Sequence, residues 1–268
     1  MKKTIIILAA AMHAAAASAD ILELRETWDC GSTLTSTLSR TLELRQQVVP
    51  QFHPDKGYVT LVADSPDRLN GGSGISMSND AWGNYGERDW VLQVTFQTPG
   101  FYQTDKAQVV MSTDYQGTKG VEIAVAGSGI GGNEYVMAYT EYYGKWTPDK
   151  FVSTGLAPAA SGTEWATLTL LNYGGTVYTA LGEEWSQSTF GDGSGVVLNR
   201  LMFGFGRFGE CGISTSAMNL DHISISTFSS AAVSLDAVKY AALHAPEPSA
   251  TTISLLALAA LSARRRRK

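Results

Sequence analysis

Apolar side chains recur at every second position over most of the chain from residue 57 onward, the spacing of a half-buried β-strand. Asp89 to Gln97 is the clearest run: Trp90, Leu92, Val94 and Phe96 fall on one face, and Gln93, Thr95 and Gln97 fall on the other with Val91. Shorter strands are predicted at Tyr58 to Ala63, from Val109 and Met111, around Val121, Ile123 and Val125, and around Tyr135, Met137 and Tyr139. Leu201, Phe203 and Phe205 alternate with Met202, Gly204 and Gly206, and Leu220 to Phe228 reads as the last strand. Trp165 to Leu171 and Thr176 to Leu181 flank Asn172-Tyr173-Gly174-Gly175, a hairpin signal. Asp64 to Gly74, with Pro66, Asn70, Gly71 and Gly72, reads as a loop.

Two stretches depart from this period. Leu34, Leu38 and Leu42 recur every four residues between 21 and 49, a helical spacing, but the Thr and Ser content there favours strand. Residues 229 to 245 are rich in Ala and Ser and read as a spacer with a short helix at Leu235 to Leu243. No long amphipathic helix interrupts the strands. Many short strands with Gly-rich turns and no crossover helix predict an all-β, antiparallel β-sandwich. It would occupy residues 20 to 228, with 20 to 56 the least defined part. Trp90 and Trp165 are expected in its core.

The two ends are of a different kind. Lys2 and Lys3 precede an almost wholly apolar run, Thr4 to Ala17, and Ala17-Ser18-Ala19 follows. That is the pattern of a secretory signal peptide, residues 1 to 19, with cleavage between Ala19 and Asp20 by signal peptidase after passage through the Sec translocon. At the other end stand Pro246, Glu247 and Pro248, then an uncharged run from Ser249 to Ala263, then Arg264, Arg265, Arg266, Arg267 and Lys268. The prolines resist helix before the run, and the cations resist translocation and stay cytoplasmic. As a helix the run spans about 22 Å, against a bilayer core of about 30 Å. The short C-terminal membrane helix therefore reads as a transient stop. A Pro-Glu-Pro triplet, a short apolar helix and an Arg-rich end resemble the PEP-CTERM sorting signal, here residues 246 to 268. The resemblance implies export from a Gram-negative-type cell, then cleavage near the triplet by an exosortase-type membrane protease. The protein would be anchored briefly in the inner membrane, then reside at the cell surface, in the outer envelope or outside.

The body also resembles the concanavalin A-like, laminin G-like jelly roll. The resemblance lies in element order: a strand like Trp90 to Phe96, a Trp165-led strand, the Gly174-Gly175 hairpin, a Gly-Phe-Gly strand at 204 to 206 and a closing Leu-Asp-His-Ile-Ser-Ile strand at 220 to 225.

Charge bears on the partners. The chain holds 20 Lys+Arg and 25 Asp+Glu; without the seven cations of the two ends and Glu247, the body keeps 13 and 24, a net charge of about −11. Nucleic acid and anionic lipid are thereby disfavoured. Cys30 and Cys211 are the two cysteines. Export permits a disulfide between them, which would close a long loop worth roughly 5 kcal/mol in the chain-entropy account; two buried free thiols are the alternative.

Catalytic signatures are weak. Gly127-Ser128-Gly129-Ile130-Gly131-Gly132 fits G-x-G-x-x-G, but the residues after it alternate as a strand, so a hairpin loop is expected rather than a dinucleotide site. There is no G-x-S-x-G and no H-E-x-x-H, and His53, His222 and His244 are widely spaced. His222 lies inside the last strand and reads as packed or at a rim. Retaining glycoside hydrolysis needs two carboxyls about 5 Å apart. Glu183 and Glu184 would point to opposite faces if extended, and Glu122 and Glu134 could meet across a hairpin, although sheet-edge charges are the simpler reading. No cofactor is expected, with calcium at loop carboxylates such as Asp80 or Asp192 compatible with the fold. Sugar binding is better supported. Exposed rings stack on pyranose faces while polar neighbours bond hydroxyls, and two loops carry such residues: Trp82 with Tyr85, and Tyr142 and Tyr143 with Trp146. The expected activity is non-catalytic carbohydrate binding or a surface-matrix role. A polysaccharide hydrolase of concanavalin A-like fold and a purely structural or adhesive protein are the alternatives.

Overall fold

The alternation of β-branched or aromatic residues with small polar ones builds strands throughout the computed structural model. It describes residues 21–31, 35–36, 43–44, 48–63, 73–78, 89–97, 109–113, 120–126, 134–140, 151–157, 164–191, 196, 198, 200–205 and 217–244. Sixteen strands lie within these residues: β1 (Glu23–Asp29), β2 (Thr35–Ser36), β3 (Glu43–Leu44), β4 (Val48–His53), β5 (Tyr58–Ala63), β6 (Ser73–Ser78), β7 (Asp89–Gln97), β8 (Val109–Ser112), β9 (Gly120–Ala126), β10 (Glu134–Thr140), β11 (Phe151–Ser153), β12 (Ala166–Tyr173), β13 (Thr176–Leu181), β14 (Glu184–Phe190), β15 (Arg200–Phe205) and β16 (Ala217–Phe228). One helix, α1 (Leu235–His244), follows. No helix of the described residues is long and apolar enough to cross a membrane.

Among the described residues, one sheet runs β14-β13-β12-β7-β16-β1-β2, with β5 also paired to β16 and β4 to β5; the other runs β11-β10-β9-β8-β15-β6-β3. Neighbouring strands are antiparallel, as in β7·β16, β12·β7, β9·β10 and β15·β6. The two sheets share a core. Trp28, Trp90, Leu92, Val94, Phe96, Ile223 and Ile225 of the first meet Val121, Ile123, Tyr135, Met137, Leu201 and Phe203 of the second. Phe96 and Phe203 touch edge to face across it, centroids 5.4 Å apart, a favoured aromatic geometry. These two sheets form a β-sandwich, and Glu23–Leu235 is one compact unit.

β16 shows how the core is kept continuous. Met218 and Leu220 are buried in the core, and so are Ile223 and Ile225. Leu220 and Ile223 are three positions apart, which in an unbroken strand would put them on opposite faces. A register shift between Leu220 and His222 resolves this: Phe96 faces Leu220 and Thr95 faces His222, so Asp221 is the additional residue of a bulge. The neighbour on the other side changes at the same place. β5 pairs with Ala217 to Leu220, and β1 pairs with His222 to Thr227.

The β12–β13 hairpin turns through Gly174 and Gly175, with φ of 58° and 85°. Two successive positive values define the type I′ turn that fits strand twist, which side chains other than Gly and Asn resist. Asp89 ties this hairpin to the segment leaving β16. Its Oδ1 accepts from the Gly174 N–H at 2.8 Å and its Oδ2 from the Ser230 N–H at 2.7 Å. The Tyr173 hydroxyl also reaches the Val233 carbonyl at 2.9 Å. The start of the expected spacer is thus fastened to the sandwich. From Asp236 onward α1 belongs to a second unit. Within it Tyr240 and His244 stack, centroids 4.1 Å apart.

Several sequence expectations need correction. The loop read to Gly74 ends earlier, because β6 begins at Ser73 and buttresses β15; its glycine and serines hid a strand with only Ile75 and Met77 to mark it. β14 and β11 were not anticipated either; β14 carries a register irregularity between Tyr178 and Ala180 of its partner, which blurs its period. Trp165 is 42% exposed and not in the core. Glu122 is not an edge charge: β9 lies between β8 and β10, and Glu122 is fully buried there. It faces Ala138, while Glu134 faces Ala126, so the two carboxyls do not meet across the hairpin. Glu183 sits in the β13–β14 turn and is not extended. The glycines from 127 to 132 lie outside the described residues, but β9 and β10 on either side pair antiparallel, which excludes a βαβ unit around them.

Cys30 is a buried free thiol; Cys211 lies outside the described residues. Burial, and after it the carboxylates of Asp29 and Asp221, push the Cys30 thiol well above its ordinary range. Burial alone does the same to the Tyr135 hydroxyl. Both groups stay neutral in the folded state at pH values where the unfolded chain ionises. Their contribution is complete below the ordinary pKa and is lost as pH rises above it.

Two outcomes are expected. Urea unfolding should show the wild-type protein losing about 1.4 kcal/mol per pH unit above roughly pH 9, with Tyr135 adding to the slope above roughly pH 10; in Cys30→Ala the part of the slope that begins near pH 9 should disappear. Asp89→Ala should cost about 2 kcal/mol in the same assay at neutral pH, because two N–H groups lose a charged acceptor.

Candidate functional site

The strands of the first sheet turn one face to the core and the other away from it, and the second carries the more unusual chemistry. In β7 and β12 the positions between the core residues are Gln93, Thr95, Thr167 and Thr169. Their side chains bond across strands: Thr95 and Thr167 hydroxyls lie 2.9 Å apart, and Gln93 Nε2 donates to Thr169 Oγ1 at 3.2 Å. On β16, His222 is half-buried and its Nε2 lies 2.9 Å from Thr27 Oγ1 of β1, a packed histidine as the strand pattern implied.

One row of this face crosses four strands as a directional chain. The Thr60 hydroxyl donates to Asn219 Oδ1 at 2.7 Å, and Asn219 Nδ2 donates to Gln97 Oε1 at 2.7 Å. His53 Nε2 lies 2.9 Å from Thr60 Oγ1. A hydroxyl has a single proton, and here it is committed to Asn219. Thr60 therefore accepts from His53, whose Nε2 carries hydrogen. The chain runs from β4 through β5 and β16 to β7, and it follows the backbone register, in which Thr60 faces Asn219 and Asn219 faces Gln97.

Three rings stand beside that row. His53 and Tyr58 face each other on β4 and β5, ring centroids 4.6 Å apart with planes at 41°. Tyr58 and Trp165 lie 5.5 Å apart at 60°. Trp165 immediately precedes β12, and both β7 and β16 separate β12 from β5. Three strand spacings are about 14 Å, so the indole and the phenol meet only by reaching toward one another across the outer face. Trp165 is exposed and His53 and Tyr58 are half-buried. Among the described residues, neither the indole N–H nor the Tyr58 hydroxyl makes a hydrogen bond.

The turn that presents His53 and Tyr58 is tightly specified. The His53 carbonyl accepts from both the Lys56 and Gly57 N–H groups, at 3.0 and 2.9 Å. Gly57 adopts φ of 80°, and the end of β1 presses on it. A Cβ on Gly31 would lie 2.6 Å from the Gly57 carbonyl carbon, so only glycine fits there. The flanks are charged: Asp55, Lys56 and Glu164 are exposed, and Asp221 Oδ1 lies 3.8 Å from where a Cβ on Gly57 would be. Among the described residues no group of three or more His, Cys, Asp or Glu side chains is placed to hold a metal ion.

The residues singled out from the sequence fall elsewhere. Trp82, Tyr85, Tyr142, Tyr143 and Trp146 lie outside the described residues. So do Asp80, Asp192, the Ala19–Asp20 junction, Pro246, Glu247, Pro248 and the basic end from Arg264 to Lys268. The ring row of His53, Tyr58 and Trp165 was missed, yet strand parity carried it. Trp165 shares parity with Thr167 and Thr169, opposite to Leu168 and Leu170, and Tyr58 shares parity with Thr60, opposite to Val59 and Leu61.

No protein-family model matches the chain, and no curated protein sequence matches it. Solved structures of similar fold include binding domains of botulinum neurotoxins. One is botulinum neurotoxin type C, whose cell entry is described as dependent upon interaction with two ganglioside molecules: 13% identity, 78% of this chain and 48% of that one, TM-score 0.52. Another is the binding domain of serotype D/C, at 15% identity over 84% of this chain and 52% of that one, TM-score 0.55. A third is the binding domain of neurotoxin DC in complex with rat synaptotagmin II, at 14% identity over 84% and 51%, TM-score 0.53. This chain thus spans about half the length of each, and at these identities the likeness is one of fold alone.

Proposed function

We propose that this protein is an exported, non-catalytic carbohydrate-binding β-sandwich of jelly-roll type, sorted to the cell surface or its matrix. The observation that carries the binding part is the exposed Trp165, set against Tyr58 and His53 over a face of mutually bonded amide and hydroxyl side chains. A sugar offers the complement of such a surface. Its C–H face covers aromatic rings, and its hydroxyls exchange hydrogen bonds with side chains already held in place. Preorganisation matters because ordering flexible side chains on binding lowers affinity. Glu122 and Glu134, the carboxylate pair that could have met across a hairpin, stand apart in register. The ganglioside-dependent neurotoxin of similar fold is consistent with a glycan partner. The loop rings Trp82, Tyr85, Tyr142, Tyr143 and Trp146 are further candidates for the same activity.

The sorting part rests on residue order at the two ends. Signal peptidase would release Asp20 after Sec export, and the Pro246-Glu247-Pro248 triplet would be read by an exosortase-type protease while the Ser249–Ala263 run and its five cations hold the chain in the inner membrane.

Two measurements test this. Intact-mass analysis of protein recovered from the producing cells should show a chain beginning at Asp20 and cut near residues 246 to 248, with replacement of Pro246 and Pro248 by Ala leaving the tail attached; uncut protein in the cytosol would refute export. On a glycan array, the exported protein should bind, and truncating a stacked ring should weaken binding by about 2 kcal/mol, roughly thirtyfold. Turnover of a glycan that a single carboxylate substitution abolishes would replace this reading with a hydrolase.

A further inference from the structure

The same ring row limits what kind of glycan can bind, and the inference rests on the carbohydrate-binding reading above. A flat polymer face, such as that of a crystalline polysaccharide, needs rings lying in one plane. Here the Tyr58 and Trp165 planes meet at 60° and the His53 and Tyr58 planes at 41°. A flat face laid on one ring would lift away from the next. A single hydrated chain can instead rotate successive residues to meet successive rings, and its hydroxyls can reach the Trp165 N–H and Tyr58 O–H, donors without a partner among the described residues.

Charge narrows the class further. Asp55, in the turn between His53 and Tyr58, and Glu164, next to Trp165, are exposed, and so is Lys56. Two exposed carboxylates against one ammonium leave this flank net acidic, which disfavours a row of carboxylates on the ligand. We propose that the Trp165–Tyr58–His53 row is a binding subsite for one strand of a neutral, soluble polysaccharide, excluding both crystalline polymer faces and uronate-rich chains.

The test uses the exported protein in affinity electrophoresis against hydroxyethylcellulose, arabinoxylan, galactomannan and dextran as neutral soluble chains. Alginate and polygalacturonate serve as uronates, and microcrystalline cellulose is assayed by pull-down. Retardation by at least one neutral soluble polymer is expected, at least tenfold weaker in Trp165→Ala and in Tyr58→Ala, with Trp165→Phe recovering part of it. Unchanged urea midpoints for these surface variants would separate lost contact from lost folding. Uronate or cellulose-powder binding that depends on Trp165 would overturn the inference and leave the broader reading standing. Neutral binding indifferent to both ring substitutions would also overturn it and move the site to the loop aromatics. Binding to none of these polymers would sink both.

Discussion

The bulge at Asp221 is the constraint on which the rest of the sandwich depends. β16 must bury Met218 and Leu220 and then Ile223 and Ile225 on one face. Alternation alone cannot do that, and one extra residue restores it. The cost is a local break in the ladder, and the structure places other groups there. The Asp221 carbonyl accepts from the Cys30 N–H at 3.0 Å, and β5 gives way to β1 as the neighbouring strand. A strand with one parity throughout would have sent Ile223 and Ile225 to the outer face and exposed the centre of the core.

That change of neighbours also organises the candidate site. β5 is held to β16 only before the bulge, so its Tyr58 end and the turn from His53 project where β1 terminates. The Gly31–Gly57 approach closes the gap between them. The polar chain from His53 to Gln97 then spans four strands, and the Asn219 amide is held at both ends, accepting from Thr60 and donating to Gln97. The two faces of one sheet thus do different work: van der Waals contact on the inside, and on the outside hydrogen bonds between neutral side chains that leave aromatic edges uncovered.

Reading strands from the sequence succeeded where apolar and polar residues alternate without interruption. β5, β7 and β13 are found at the expected residues, and the Gly174-Gly175 turn has the dihedrals its glycines imply. It failed where the alternation is masked by small residues, as in β6, or displaced by an irregular register, as in β14. The site was partly legible and misread. Trp165 was expected in the core, although its parity with Thr167 and Thr169 pointed outward. A large ring at a strand end can lie across the surface. Glu122 shows the converse, a charged residue deep within a sheet that its type would place at an edge.

By itself, then, the sequence determined the local periods: which segments extend, which turns are tight, and which face of each strand is apolar. Those follow from side-chain sterics and hydrophobicity acting within a few residues. Only the tertiary structure decided which strands became neighbours, where β16 bulged, and that His53, Tyr58 and Trp165 share one surface although more than a hundred residues separate the last from the others. Such proximity depends on register summed across several strands, and no local interaction encodes it.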